Sequence, residues 1–166
     1  MKIPFAIKTK IFNDNRGYFK ELFLTKKFKF NLKFTACSIS KKGVIRGLHY
    51  QIKKPQEKII SILFGRAIDI CVNIDKSSEN FGKIYKFNLS PGLMLYVPKG
   101  YAHGISFLNK YNILLYHLSE YRYPDYEKGI YPLDKNLKIN WMVKKPILSP
   151  RDKKHPLFDQ INFNEI

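Results

Sequence analysis

Hydrophobic residues in this chain recur at every second position rather than every third or fourth. Ile68, Ile70, Val72 and Ile74 alternate with Asp69, Cys71, Asn73 and Asp75, the spacing of a strand whose successive side chains point to opposite faces. The pattern predicts one aliphatic face and one polar face. Residues 58–64 form a more continuous apolar run that stops at Gly65, where a tight turn into the next strand is expected. Further strands are predicted over residues 3–12, 34–40, 83–89, 94–97, 104–108 and 112–118, with one short helix over residues 20–28. Turn signals punctuate them: Asp14-Asn15-Arg16-Gly17, Lys42-Gly43, Ser90-Pro91-Gly92 and Pro98-Lys99-Gly100. Many short strands with regular turns predict an all-β antiparallel sandwich or a jelly-roll barrel. Beyond Tyr121, five prolines (Pro124, Pro132, Pro146, Pro150 and Pro156) break any periodicity, so this stretch is expected to wrap the body as an irregular tail. No repeat or linker divides residues 1–166, and one domain is the expectation.

Composition narrows the classes. No run of 18 apolar residues exists, which argues against a membrane-spanning helix, and the N-terminus breaks its apolar character too early for a signal-peptide core. Two cysteines, Cys37 and Cys71, are too few for a secreted disulfide framework and read as ordinary buried thiols, so a cytoplasmic location is expected. The formal net charge of +17 raises nucleic acid as a partner. Only five of the 30 basic residues, however, are the arginines favoured for bidentate phosphate and base contacts: Arg16, Arg46, Arg66, Arg122 and Arg151. The lysines fall in isolated pairs rather than a stripe. Solvated surface charge, no nucleic-acid partner and a small anionic substrate fit that distribution.

A few residues exceed what bland strands need. Val44-Ile45-Arg46-Gly47-Leu48-His49-Tyr50-Gln51 sets an arginine and a histidine in an apolar stretch, Asp69 lies between isoleucines, and His103 follows Pro98-Lys99-Gly100-Tyr101-Ala102. Singly, each reads as a hydrogen-bonded structural residue. Together, on separate strands of one small barrel, they suggest a ligand pocket at its mouth. Metal-binding cupins place two histidines two residues apart on one strand face. This chain has no His-x-His, and the remaining metal alternative is a set from His49, Glu57 and His103. A non-catalytic sugar-nucleotide or nucleic-acid binding module is the other alternative.

The order of motifs resembles the dTDP-4-dehydrorhamnose 3,5-epimerases of the cupin superfamily. The resemblance is carried by Asp14-Asn15-Arg16-Gly17-Tyr18-Phe19-Lys20-Glu21, Arg46-Gly47-Leu48-His49, Pro55-Gln56-Glu57-Lys58, Gly100-Tyr101-Ala102-His103-Gly104, Leu115-Tyr116 and Ser149-Pro150-Arg151-Asp152. It runs from about residue 12 to residue 160. It implies a jelly-roll dimer that inverts carbons beside the C4 ketone of a nucleotide-diphospho-6-deoxy sugar, with no metal or redox cofactor. His49 matches the base, Asp152 the carboxylate that orients it, Lys58 the cation facing the enolate oxygen, and Tyr116 the acid on the opposite face. Arg46, Gln51, Asp69, His103, Glu127 and Arg151 match substrate-binding positions. Arg16, Phe19 and Glu21 match a segment that reaches into the partner subunit's site in a homodimer.

The sequence departs from the family on one strand. Family members usually show Gln-x-Asn-x-Ser-x-Ser before Arg-Gly-Leu-His, whereas this chain has Phe34-Thr35-Ala36-Cys37-Ser38-Ile39-Ser40. Two amides expected to bind substrate are thus apolar here, a change that bears on preference more than on fold.

Overall fold

The computed structural model describes residues 2–23 and 28–165, and its regular elements are strands with only short 3-10 turns besides. They are β1 (Phe5–Lys8), β2 (Ile11–Asp14), β3 (Gly17–Lys20), β4 (Phe34–Lys41), β5 (Ile45–Gln51), β6 (Lys58–Phe64), β7 (Ala67–Asn73), β8 (Ile84–Leu89), β9 (Leu93–Val97), β10 (Tyr101–Phe107), β11 (Tyr111–Leu118) and β12 (Glu127–Gly129). Two antiparallel five-stranded sheets face one another, in the orders β1-β9-β6-β11-β4 and β12-β5-β10-β7-β8, with β2 and β3 as a separate hairpin. Among the described residues no helix is long and apolar enough to cross a membrane.

Alternation assigns each strand's side chains to the interior or to an outer layer. Ile60 and Ile62 of β6, Leu114 of β11, Ile105 and Phe107 of β10 and Leu95 of β9 pack between the sheets. Ile59, Met94 and Tyr96 point out of the first sheet and are covered by Phe28 and Phe30. The aliphatic face of β7 turns away from the interior: Ile68, Ile70 and Val72 pack with Trp141 and Phe163 of the tail, while Asp69 and Cys71 look inward. Both faces of β7 are therefore buried, and the predicted wrapping tail is what covers the outer one. Trp141 anchors it, donating to the Pro132 carbonyl at 2.7 Å and accepting at its own carbonyl from the Ser106 hydroxyl at 2.6 Å.

Three expectations need correction. Residues 3–12 form two strands broken at Thr9, whose N–H bonds the Gly92 carbonyl. Of the helix predicted over residues 20–28, Lys20 ends a strand and residues 21–23 and 28 are not helical, while residues 24–27 lie outside the described residues. Its aromatic residues Phe23 and Phe28, poor helix formers, serve instead as cover, and Phe23 meets Phe30 edge to face, 5.7 Å apart. Cys37 is exposed rather than buried, because β4 is an edge strand and Cys37 points outward from it.

Candidate functional site

A cavity of about 570 Å³ opens between the two sheets, with the tail as a third wall. From the second sheet it receives Arg46 and His49 of β5 and His103 of β10; from the first it receives Phe34, Ala36 and Ser38 of β4, Lys58 of β6 and Tyr116 of β11. Arg122, Glu127, Arg151 and Asp152 close it from the chain that follows. The alternation of Phe34, Ala36 and Ser38 is ordinary strand geometry. That of Arg46 and His49 is not, since residues three apart normally face opposite ways. Opposite β10, His49 pairs with His103 and Arg46 pairs with Ile105, so three steps on β5 match two on its neighbour. This bulge turns both side chains inward. Gly47 permits it: its φ is +130°, and a Cβ would stand 2.4 Å from the Gly104 backbone.

The sharpest feature is a pair joined from opposite ends of the chain. His49 Nε2 lies 2.6 Å from Asp152 Oδ1. Asp152 is held in turn by its own N–H, which bonds the Ser149 hydroxyl at 3.0 Å. The tail is pinned beside β5, where the Ile45 N–H donates to the Ile147 carbonyl and the Ile147 N–H to Gly43. Burial alone would raise the Asp152 carboxyl, but the His49 bond and charge, Ser149 and His155 outweigh it and hold it below the usual range. With Asp152 ionised, Nε2 is the donor, and Nδ1 is left as the nitrogen that can accept a proton.

Beneath this pair lies a second. His103 Nε2 meets Asp69 Oδ2 at 2.8 Å, with both side chains buried, and the Cys71 thiol approaches Asp69 Oδ1 at 3.7 Å. On the facing sheet, Leu118 of β11 pairs with Lys58 and Tyr116 with Ile60, which sets the ammonium and the phenol on adjacent strands. Removal from water lowers Lys58 despite the countering pull of Cys71, Glu127 and Asp69. Burial likewise pushes Tyr116 up to about 12, opposed by the Ser38 hydroxyl and the Arg46 charge. At the rim, Glu127 Oε2 binds Arg122 at 2.7 Å and Arg151 at 2.6 Å. Burial raises Glu127, and the two guanidiniums reverse that to a net lowering. Arg46 Nε donates to Ser40 at 3.1 Å.

The cavity thus gathers His49, Lys58, Tyr116, Asp152, Arg46, His103, Glu127 and Arg151, with Asp69 directly behind His103. Gln51 stands apart: its amide donates to the carbonyls of Lys54 and Tyr121 and accepts from the Tyr123 N–H, tying down the loop after β5. Arg16, Phe19 and Glu21 do not line the cavity of their own chain. Arg16 pairs with Asp14 at 2.7 Å, and Phe19 is 68% exposed. Among the described residues His49, Glu57 and His103 do not bring their ligating atoms together as a metal site would require, and the Glu57 carboxylate accepts from the Tyr96 hydroxyl at 2.5 Å. Sequence reasoning missed Arg122. The available signal was the scarcity of arginine in a lysine-rich chain, since three of its five arginines line the cavity.

Comparison with known proteins points one way. Residues 2–160 match the family described as dTDP-4-dehydrorhamnose 3,5-epimerase. The enzyme of that name from Shigella flexneri is 38% identical over 152 residues, which cover 86% of this chain and 84% of the relative. That of Methanothermobacter thermautotrophicus is 34% identical, covering 89% and 85%. The crystal structure of dTDP-6-deoxy-D-glucose-3,5-epimerase from Legionella pneumophila, in complex with dTDP-4-keto-L-rhamnose, superposes with a TM-score of 0.93 at 33% identity over 98% of this chain and 92% of that one.

Proposed function

The chain belongs to the dTDP-4-dehydrorhamnose 3,5-epimerase family, and from that premise we propose that its cavity inverts carbon centres beside the C4 ketone of a dTDP-4-keto-6-deoxy sugar. The observation that carries the reading is the 2.6 Å His49–Asp152 bond on one wall, with Lys58 and Tyr116 on the wall across from it.

A hydrogen alpha to a ketone is a weak acid, so its removal needs a positioned base and a stabilised enolate. His49 Nδ1 takes the proton, and the C–H electron pair moves into the carbonyl as an enolate. Asp152 keeps the imidazole in the tautomer with hydrogen on Nε2 and stabilises the imidazolium that forms. The Lys58 ammonium faces the developing oxyanion, and desolvation strengthens that attraction. A donor of this kind is worth roughly 3 kcal/mol of barrier. Tyr116, protonated at neutral pH, returns a proton from the other side. That second face is what turns enolisation into inversion, since return from His49 restores the starting centre.

The three arginines supply the anion contacts that a diphosphate requires: Arg46 in the wall, and Arg122 and Arg151 held by Glu127 at the rim. The unit that works is a homodimer in this reading. Its support is the β2–β3 hairpin, whose Phe12, Tyr18 and Phe19 are 50%, 59% and 68% exposed, and whose Arg16 and Phe19 find no cavity in their own chain. The test is incubation with dTDP-4-keto-6-deoxyglucose in deuterated water, followed by NMR. Label at C3, C5 or both, with inverted product, supports the reading and assigns the carbon. Absence of exchange overturns it.

A further inference from the structure

Beside the dyad stands a third ligating side chain that the proposed reaction does not use. His155 Nε2 is 3.7 Å from Asp152 Oδ1, the same oxygen that His49 holds. The two imidazoles meet edge to face, with centroids 5.7 Å apart at 74°. The seat for His155 exists because residue 129 is glycine: a Cβ there would stand 2.5 Å from the ring. His155 Nε2 is buried and has no hydrogen-bond partner. An unpaired buried polar group of this kind is destabilising and calls for a reason. The ligating atoms of His49, Asp152 and His155 all lie within 4.8 Å of one another. Two imidazoles and one carboxylate are the donor set of a first-row divalent ion with one position left open, and the cavity that His49 and Asp152 line supplies that opening. The neighbouring cation, Arg151, is occupied by Glu127 at 2.6 Å, which offsets its repulsion.

We propose that His49, Asp152 and His155 form a binding site for a zinc-class divalent cation, and that its occupation switches the base off. The binding stands on the three side chains alone; the switching rests on His49 being the base. Without metal, His49 carries its hydrogen on Nε2 and its free lone pair on Nδ1. A cation on Nε2 needs the lone pair there, so the hydrogen moves to Nδ1, the ring stays neutral and no net proton is lost. Nδ1 is then a donor and cannot take a proton from the sugar. The arginines keep their places, so turnover falls while substrate affinity is held.

Zinc is titrated into a Cys37→Ser protein, which lacks the exposed thiol as a competing ligand, with calorimetry and solvent-deuterium exchange run in parallel. One zinc per chain is expected, with exchange arrested over the same concentration range and KM unchanged. In the same background His155→Gln is compared with its own zinc-free exchange rate. Its half-inhibiting zinc concentration rises at least by the about 10–100-fold that losing even an outer-shell partner costs. Imidazole NMR of the Cys37→Ser protein with zinc gives an answer that does not depend on the His155 variant folding: His49 and His155 signals move, while those of His103 and His117 stay. Equal zinc sensitivity with and without His155, zinc shifts confined to His103 or His117, or no stoichiometric binding up to about 1 mM overturns the proposal. Zinc bound through His155 in a protein that never exchanges hydrogen supports the cation site and removes the functional reading under it.

Discussion

Tyr116 and Asp152 divide the chemistry into parts that can be removed one at a time. Tyr116→Phe deletes the opposite-face donor and leaves the base and Lys58 in place. Deuterium should still enter the sugar, while inverted product falls by roughly 10²–10⁴, the usual worth of a general acid. NMR separates the two readouts in one sample, and full-rate inversion by the variant would remove the phenol from the mechanism. In the proposed mechanism Asp152 bears on stability as well as on catalysis. Its carboxyl is held below the usual range in the fold, so its contribution is present above the unfolded value near 4 and is lost as pH falls through the folded value. Asp152→Asn has no such group to protonate. The difference in melting temperature between the two proteins should therefore shrink as pH drops below about 4, alongside strongly reduced exchange at neutral pH. A gap that stays constant with pH would contradict the link.

Strands, more than single residues, decide what the cavity accepts. On β4 the inward positions are Phe34, Ala36 and Ser38. Phe34 stacks on Tyr121 at 9° and 6.2 Å, so its ring is part of the wall rather than a loose substitute for an amide. Compared with a family member that carries both amides, this chain should use the dTDP-rhamnose precursor less well. Each absent hydrogen bond is worth about 0.5–1.5 kcal/mol. Phe34→Gln with Ala36→Asn should raise kcat/KM for that substrate, and an unchanged value would make the departure silent. On β5 the controlling feature is the bulge. Gly47→Ala must place a methyl against the Gly104 backbone at a φ that side chains avoid, and overpacking of this type costs about 1–3 kcal/mol. A melting temperature lowered by roughly 2–10 °C is expected, together with lost activity as Arg46 and His49 swing out of line.

How far the sequence reached can be judged on these same strands. The alternation over β7 identified the strand but not which face would meet solvent, and neither does. Its aliphatic side is covered by a tail whose path is set by tertiary contacts such as Trp141 on Pro132, which no local period encodes. His49, Lys58, Tyr116 and Asp152 were legible because motif order carries what spacing cannot, namely that residues 103 apart meet. His155 and Arg122 belong to no motif, and only the folded tail shows what they face. Gln51 was legible as a polar residue in the right segment, yet its amide is used by backbone groups that appear only when the loop closes.

At the scale of the whole molecule the β2–β3 hairpin leaves Phe12, Tyr18 and Phe19 at least half exposed. Phe12 and Phe19 meet at 6.1 Å in an apolar surface flanked by Arg16 and Asp14, one that a second copy would bury in the proposed dimer. Sedimentation should give a dimer. Replacing both rings, Phe12→Ser with Phe19→Ser, should shift it to monomer and raise KM for the nucleotide sugar while leaving the melting transition cooperative. A dimer unaffected by the double change would place the subunit contact elsewhere.

The separation of His49 from Asp152 along the chain also has a meaning in time. A ribosome adding about 5–20 residues per second releases His49 many seconds before Asp152, which lies 103 positions further along. Over that interval most of the strands that form the cavity have been made, and the imidazole still lacks the carboxylate that fixes its tautomer. On the proposed mechanism, proton abstraction reaches its full rate only once the tail has paired beside Gly43 and brought Asp152 against the ring, so a late-made segment completes the site.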